Sequence, residues 1–481
     1  MKTIKPINIF LIIILFAITG CSDVLEEDTY STLGPSNFYS SAEDAESLLN
    51  GVYANSQGYR DMLRDYLTLG EMTTDMLIER GGAINSNTQP IEDFIFAPGH
   101  PYFQSLWTRY YSAIYRANVV IDKVPGIDMD ETRRDQVVAE ARFLRALNYY
   151  NLYELFGPVP LITTSETAVT DRPLRATKEE IDSFMATEFQ EVAGILPTTQ
   201  EQYGRATSGA AEGFLTKLYL NEKQWQQAAD AANEVIASGV YDLYTEGDRA
   251  ALFNLENEGD NEFMFVIPYP DNPTSGTGNT YLSHAAPPAY KFKYPPKVNF
   301  AANFKTRTEL INLFDPEDER LNSFVFEYQN GAGNTIQLGE NDVRSFKYVE
   351  DPNGTGDVSG NDFPLLRYSD ILLARAEALN EINGPNQNSI DLINQVRDAA
   401  GVDAISVADF PTKEALRNFI FDERGREFFT EALRRQDLIR QGTFIEKAKE
   451  RGKAAADYQV LFPIPQSEVD KNLNLEQNPG Y

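Results

Sequence analysis

Apolar positions recur at helical spacing over long stretches of this chain. Between residues 104 and 123 they follow one another at intervals of three and four, which predicts an amphipathic helix. A second stripe predicts a long helix over residues 131–156, ended by Gly157 and Pro158. A short turn around Pro125 joins the two segments, so we expect them to form a helix hairpin.

The hairpin pattern returns twice, over residues 207–221 with 224–238 and over residues 366–383 with 388–400. In the first of these pairs, small residues such as Gly209 and Gly213 would face Trp225 and several alanines, as in tetratricopeptide repeats. A further helix is predicted over residues 38–57. We therefore expect a mainly α fold, a superhelix of tetratricopeptide-like helix pairs with long irregular ligand-facing loops and a few short strands.

Three stretches lack helical periodicity, namely residues 80–103, 263–300 and 331–363. They are rich in glycine, asparagine, proline and aromatic residues, and two runs, 263–267 and 343–349, are strand-like. Long loops of this kind on a helical scaffold are where ligand binding is usually found. The sequence therefore predicts that the ligand-facing surface is built from these stretches.

The N-terminus has a different pattern, a basic start followed by an apolar run of roughly a dozen residues. This run is shorter than the ~20 residues that span a bilayer, which disfavours an uncleaved anchor. The only cysteine, Cys21, follows Gly20 at the predicted cleavage point of a secretory signal, where a lipobox would place a lipid-modified residue. The alternative is that Cys21 is an ordinary apolar residue of the signal segment.

This interpretation divides the chain into a lipoprotein signal peptide (1–20), an acidic flexible leader (21–37) and a single body (38–481). Within the body we expect N-terminal helix pairs over 38–240, irregular ligand-facing insertions over 241–363, and C-terminal helices with a tail over 364–481. Stable attachment by lipid needs more than one acyl chain, so Cys21 would carry several.

Composition and charge narrow the function classes. The 481 residues include 42 basic and 72 acidic side chains, a formal net charge of -30. Such a surface repels phosphate backbones, so nucleic-acid binding is not expected. With a single cysteine there is no disulfide framework, and stability must come from packing.

Several stretches occur in a distinctive order along nearly the whole chain. They are residues 18–21, 106–118, 139–161, 205–207, 363–378, 393–397, 423–440 and the tail 461–481. Together they resemble the SusD/RagB family of outer-membrane nutrient-binding lipoproteins. The resemblance implies a lipid-anchored protein that faces the cell exterior, caps a SusC-type TonB-dependent transporter and captures oligosaccharides for import. It implies neither an enzymatic activity nor a cofactor.

Two groups of residues are candidate ligand contacts. Aromatic rings can stack on the C–H faces of sugars, and the aromatic-rich stretch supplies Tyr269, Tyr281, Tyr290, Phe292 and Tyr294. The resemblance adds contacts from the other loop, at Asp75, Arg80, Asn85, Asn87 and Phe94. For each tyrosine the alternative is that it packs the loop onto the body. Trp107 and Trp225 sit at core spacing on helices, so we expect both to be core residues.

Catalytic and metal-binding patterns are weak. Glu423 and Glu427 share one helix face, and paired carboxylates occur in glycoside hydrolases. The alternation of arginine and glutamate around them favours a structural ion network instead. His100 and His284 are isolated, and the acidic residues 315–319 lack the spacing of an EF-hand loop. We therefore expect no catalytic residue, no metal site and no cofactor.

The leading hypothesis is a non-catalytic oligosaccharide-binding lipoprotein that hands its ligand to a barrel partner. One alternative is a peptide-capturing lid of the same architecture, because the acidic surface would suit basic peptides. A third hypothesis, from another class, is a surface glycoside hydrolase.

Overall fold

The computed structural model describes residues 39–57, 60–79, 81–82, 84–166, 171–274, 277–295, 297–300 and 303–481. The predicted lipid site at Cys21, the signal and leader segments, and the candidate contact Arg80 lie outside these residues. None of the described helices is long and apolar enough to cross a membrane.

The fold is mainly helical, as predicted. The N-terminal half contains α1 (Ala42–Gln57), α2 (Arg60–Glu71), α3 (Asn85–Glu92), α4 (Pro101–Lys123), α5 (Glu131–Phe156), α6 (Lys178–Ala193), α7 (Ser208–Asn221) and α8 (Trp225–Ser238). The C-terminal half contains α9 (Tyr281–Ala285), α10 (Thr308–Ile311), α11 (Tyr368–Asn383), α12 (Gln387–Ala399), α13 (Lys413–Phe428), α14 (Arg434–Gln441), α15 (Phe444–Glu450) and α16 (Gln466–Lys471).

The three predicted helix hairpins are α4 with α5, α7 with α8, and α11 with α12, and the members of each pair pack against each other. The Asp130 carboxylate caps α5 by accepting a hydrogen bond from the Arg133 backbone N–H, and Gly157 ends it at a φ of 72°. Helices α8 and α11 also pack together, through Ala228 and Ala374. The helix pairs therefore pack against one another, and together they form what is called the helical frame below.

Small residues on α7 let neighbouring segments approach closely. A Cβ added at Gly209 would overlap the ring of Tyr241, and one added at Gly213 would overlap Leu366. Trp107 is 5% exposed and meets Phe156 edge-on at 5.3 Å, while Trp225 packs beside the alanine contact of α8 and α11. The core role predicted for Trp107 is confirmed, whereas Trp225 is only half-buried.

The described strands form four two-stranded antiparallel pairs: β1 (Leu77–Ile78) with β3 (Lys305–Thr306), β2 (Phe263–Ile267) with β8 (Phe363–Arg367), β4 (Phe324–Val325) with β7 (Arg344–Ser345), and β5 (Glu327–Gln329) with β6 (Thr335–Gln337). The strand predicted at 263–267 is confirmed. The one predicted at 343–349 is reduced to two residues. Strand β8 was not predicted, and it runs directly into α11, so that helix begins two residues later than expected.

The stretch 80–103 was predicted to be irregular, but it contains α3 and the first turn of α4. Helix α3 is polar and carries Pro90 within it, which hides its periodicity. Its Thr88 hydroxyl donates to the Ile84 carbonyl and to Glu79. These contacts, the second of which reaches outside the helix, help to hold a segment whose own helix propensity is weak.

A second core lies beneath the irregular stretches, apart from the core of the helix pairs. It gathers Leu67 from α2, Ile267 from β2, Phe304, Tyr348 and Phe429. Because these residues come from distant parts of the chain, the irregular region is packed from several sides and is not a free loop. The division of the body into three consecutive parts stays a prediction.

The segment that links α13 to α14, residues 429–433, makes a very close contact in this second core. Thr430 and Ala432 both adopt left-handed backbone angles, with φ of 60° and 63°, which non-glycine residues rarely do. The link lies against α2 at Gly70, where an added Cβ would stand 2.7 Å from the Ala432 Cβ. Glycine at this position is therefore required by the close approach of the two segments.

We expect Gly70→Ala to lower the free energy of unfolding by roughly 1–3 kcal/mol, because overpacking forces the strained link away from α2. Urea denaturation of the purified protein measures this. Gly51→Ala is the matched control, since Gly51 is also helical but an added Cβ there meets only an ordinary contact at 3.5 Å from Arg116. Equal effects of the two substitutions would contradict the prediction.

Candidate functional site

One carboxylate, that of Glu350, holds the aromatic loop over residues 290–294. Its Oε1 accepts a hydrogen bond from the Tyr290 hydroxyl at 3.1 Å, and its Oε2 accepts the backbone N–H groups of Lys293 at 2.8 Å and Tyr294 at 3.4 Å. These bonds reach across some sixty residues of sequence. The two backbone bonds hold residues 293 and 294 in place and thereby orient the side chains of Lys293 and Tyr294.

The other side of the loop rests on the β5–β6 hairpin. The Lys291 N–H donates to the Gln329 carbonyl at 3.0 Å, and the Tyr328 hydroxyl donates to the Pro288 carbonyl at 2.8 Å. The Tyr290 ring meets Phe292 at 5.1 Å and Phe346 at 5.2 Å, both edge-on. Tyr290 thus packs against Phe292 within the loop and against Phe346 outside it.

The loop opens onto a cleft of about 790 Å³, large enough for a ligand of several sugar rings. Its lining consists of Asn254, Leu255, Glu256, Glu258, Asp271, Lys293, Tyr294, Phe346, Val349, Glu350, Asp351, Pro352 and Asn353. Tyr294 is half-buried, and the Lys293 ammonium stands 4.7 Å from its ring centroid. The lining combines two aromatic rings with carboxylates and amides.

A tight turn forms the far wall of the cleft. The buried Asp351 carboxylate accepts the N–H groups of Asn353 and Gly360, each at 2.7 Å. The Lys297 ammonium donates to the Asp351 carbonyl at 2.8 Å and also to the Gly354 carbonyl. These contacts preorganise the wall, so that little order has to be gained when a ligand binds.

Glu258 in the cleft lining and the neighbouring Asp362 have shifted pKa values. Burial, followed by repulsion from Asp362, raises the pKa of Glu258 to about 8. Burial also raises the pKa of Asp362 to about 7, with a contribution from Asp271. The Glu258 carboxylate accepts the Asp362 N–H at 3.0 Å. Near neutral pH Glu258 and Asp362 are therefore partly protonated, and together they carry less than two negative charges.

Of the predicted aromatic contacts, Tyr294 lines the cleft, whereas Tyr290 and Phe292 do not. Tyr281 is 1% exposed and meets Phe304 at 5.7 Å, and Tyr269 is also buried. The rings of these last two tyrosines offer no free face to a ligand and pack the loop down.

The predicted contacts of the other loop lie away from the cleft lining. Asp75 forms a two-point ion pair with Arg434 at 2.7 and 2.8 Å. Phe94 is buried against Phe444, with a left-handed φ of 58°.

Asn85 and Asn87 lie on α3, which the sequence did not predict. The Asn85 amide donates to Gln89 at 3.0 Å, and the Asn87 carbonyl lies 2.8 Å from His100 Nε2. Both side chains are half-buried, and neither lines the cleft. A ligand role for these two residues stays a prediction.

The cleft also contains residues that sequence reasoning missed. They are Glu256, Glu258, Asp271, Phe346, Glu350 and Asp351. No spacing rule connects them, because they come from three separate segments. One signal was available: the run Glu350-Asp351-Pro352-Asn353-Gly354 is a strong turn sequence that follows a strand-like stretch directly.

The acidic pair on α13 lies in a buried ion network. Glu423 binds Arg320 at 2.8 Å and Arg426 at 2.8 Å, and Glu427 binds Arg367 at 2.8 Å. The structural role predicted for this stretch is the one observed.

The network keeps both carboxylates of this pair ionised. Burial alone would raise the pKa of Glu423, but Arg320 and Arg426 lower it to about 2. Likewise Arg249 and Arg367 overcome burial and hold the pKa of Glu427 well below its usual range. Groups held this way are poorly suited to donate the proton that glycoside hydrolysis needs.

Comparison with known families gives two matches. Residues 329–481 match the SusD family, and residues 23–220 match a family described as starch-binding and associating with the outer membrane. The chain thus matches SusD-type family models in both its N-terminal and its C-terminal part. SusD-like protein P2 of Formosa agariphila is 26% identical, with 99% of this chain and 100% of the relative aligned. Starch-binding protein SusD of Bacteroides thetaiotaomicron is 25% identical over 82% of each chain.

Solved SusD structures share the fold. A laminarin-binding SusD-like protein superposes with a TM-score of 0.80 at 25% identity, covering 92% of this chain and all of the other. Surface glycan-binding protein A of Bacteroides thetaiotaomicron, solved with laminarihexaose, gives a TM-score of 0.78 at 21% identity, covering 91% of this chain and all of the other. The mainly α superhelix expected from the sequence is confirmed.

We expect Glu427→Gln to cost roughly 3–5 kcal/mol in the free energy of unfolding, because the neutral amide leaves buried cations unbalanced. The control is Glu450→Gln, whose ion pair with Lys447 is exposed and should cost below about 1 kcal/mol. Urea denaturation measures both.

The pH dependence follows from the lowered pKa of Glu423. Its stabilising contribution is complete above its ordinary value of 4.5 and is lost as the pH falls towards about 2. Stability that stays constant over this range, or equal costs for the two substitutions, would contradict a central role for the network.

Proposed function

We propose that this SusD-family protein binds oligosaccharides at the cleft beside Tyr294 and delivers them to a TonB-dependent transporter of the outer membrane. The observation that carries the proposal is the cleft itself, where a half-buried aromatic ring stands over a preorganised polar wall. The similarity to a starch-binding and a laminarin-binding protein supports the same ligand class.

Binding would combine stacking with shared hydrogen bonds. A sugar ring placed on Tyr294 displaces the Lys293 side chain, which is fully exposed and therefore moves at little cost. The amides of Asn254 and Asn353 and the nearby carboxylates offer partners to hydroxyl groups. Because Glu350 holds the loop before the ligand arrives, the ring does not have to be ordered on binding.

A binding role fits this site better than hydrolysis. The carboxylates on α13 are ion-paired in the interior, so they do not face a ligand. The purified protein should therefore bind oligosaccharides without releasing sugar. Peptide capture, the other alternative, would appear as binding of basic peptides in place of glycans.

Membrane attachment through Cys21 and contact with a SusC-type partner complete the proposal. The family match that begins at residue 23 is described as associating with the outer membrane. A lipid at Cys21 would keep the body beside its transporter, facing the cell exterior, while the predicted leader over residues 21–37 gives it room to swing.

We expect Tyr294→Ala to weaken binding of the tightest ligand in a glycan panel, laminarin included, by roughly tenfold, since one stacked ring contributes about 1–1.5 kcal/mol. Isothermal titration calorimetry measures this, with reducing-sugar release followed in parallel. Tyr294→Phe should keep most of the affinity. Tyr115→Ala removes a tyrosine that is 53% exposed on α4 and serves as the matched control. Unchanged affinity in Tyr294→Ala, or sugar release by the native protein, would contradict the proposal.

We expect Cys21→Ala to move the protein from the membrane fraction to the soluble fraction and to reduce oligosaccharide uptake by cells. The affinity of the purified body for the same oligosaccharide should not change, because the cleft is lined by residues between 254 and 353. Fractionation, uptake of labelled glycan and calorimetry provide the three readouts. Normal membrane recovery of the variant would contradict lipid attachment at this residue.

A further inference from the structure

The cleft is lined by five carboxylates and a single cationic side chain. The acidic residues are Glu256, Glu258, Asp271, Glu350 and Asp351, and the cation is Lys293. Within the described part of the chain, none of the five forms an ion pair with a lysine or arginine within 4.0 Å. The nearby Lys297 ammonium is directed to backbone carbonyls of the turn.

The helical frame treats acidic side chains differently. Several buried carboxylates there are matched by arginine: Glu423 by Arg320, Glu427 by Arg367 and Asp437 by Arg424. The cleft instead gathers five carboxyl groups that lack such a partner. An electrostatic cost of this kind is tolerated where it serves binding specificity.

The negative groups also act on one another. The pKa of Glu258 is raised first by burial and then by Asp362, Asp271 and Asp351. A further anion brought into the cleft would meet the same repulsion, whereas a neutral sugar would meet only hydrogen-bond acceptors.

We propose that this cleft selects uncharged oligosaccharides and excludes glycans that carry uronate or sulfate groups, with Glu256 and Asp271 as the specificity-determining residues. The inference rests on the proposed function of the cleft as a glycan site. Glu350 and Asp351 contribute charge, but they hold the loop and the turn, so they are unsuitable for a clean test.

The experiment compares one glycan with its own oxidised form. Laminarin oligosaccharides, or the tightest neutral glycan of the panel if that differs, are titrated beside the same chains oxidised at C6 to glucuronate. We expect the native protein to prefer the neutral form by about tenfold or more at low salt. The ratio of the two affinities should decrease as the sodium chloride concentration is raised, because salt screens exposed charges.

The test variant combines Glu256→Gln and Asp271→Asn, which remove charge and preserve shape. Glu258 is left unchanged, because its raised pKa leaves it little charge near neutral pH and because its carboxyl group accepts the Asp362 N–H. The readout is the ratio of the two affinities, and we expect it to fall to within about threefold of unity. Thermal denaturation verifies that the variant is folded.

A matched control removes two charges elsewhere, with Asp128→Asn and Glu179→Gln, both exposed and neither in the cleft lining. This control should leave the preference for the neutral glycan unchanged. The comparison separates the effect of charges in the cleft from the effect of the net charge of the chain. Equal affinity of the native protein for the two forms, or an unchanged ratio in the cleft variant, would overturn the inference alone. Failure to bind any glycan would overturn the proposed function, and this inference with it.

Discussion

The buried pairing of Arg367 with Glu427 is the contact on which the rest of the structure depends. Arg367 ends β8 at the start of α11, and Glu427 lies near the end of α13, so the pair joins the irregular region to the helical frame. Arg249 and Glu262 extend it towards β2. A buried charge without its partner is costly, which means that these segments have one acceptable arrangement.

The same network explains the strained link after α13. Left-handed angles at Thr430 and Ala432 bring the Glu431 carboxylate to Arg367 at 2.7 Å. The Lys347 ammonium, three residues before the cleft-forming Glu350, also reaches Glu431 and Phe429. The backbone strain is therefore offset by ionic contacts that anchor the strand and turn from which Glu350 holds the aromatic loop.

The helix pairs were predictable, whereas much of the site was not. The stripe over 131–156 gives α5 with its true ends, because capping by Asp130 and Gly157 is a local property. Strand β8 was hidden because a short apolar run can be a strand or a helix, and its partner β2 lies about a hundred residues earlier. Tyr294 could be proposed from aromatic density. The Glu350 contact could not, since it depends on a long-range meeting of segments.

The contrast between frame and cleft connects stability with specificity. A chain with 72 acidic and 42 basic side chains cannot match every carboxylate, so the location of the unmatched ones is informative. In the frame, arginines occupy the interior and satisfy the carboxylates that would otherwise destabilise it. Much of the excess acid lies at the surface, and part of it lines the cleft. At the surface it only keeps the protein soluble, but in a concave site with low-dielectric walls its field is concentrated on whatever enters.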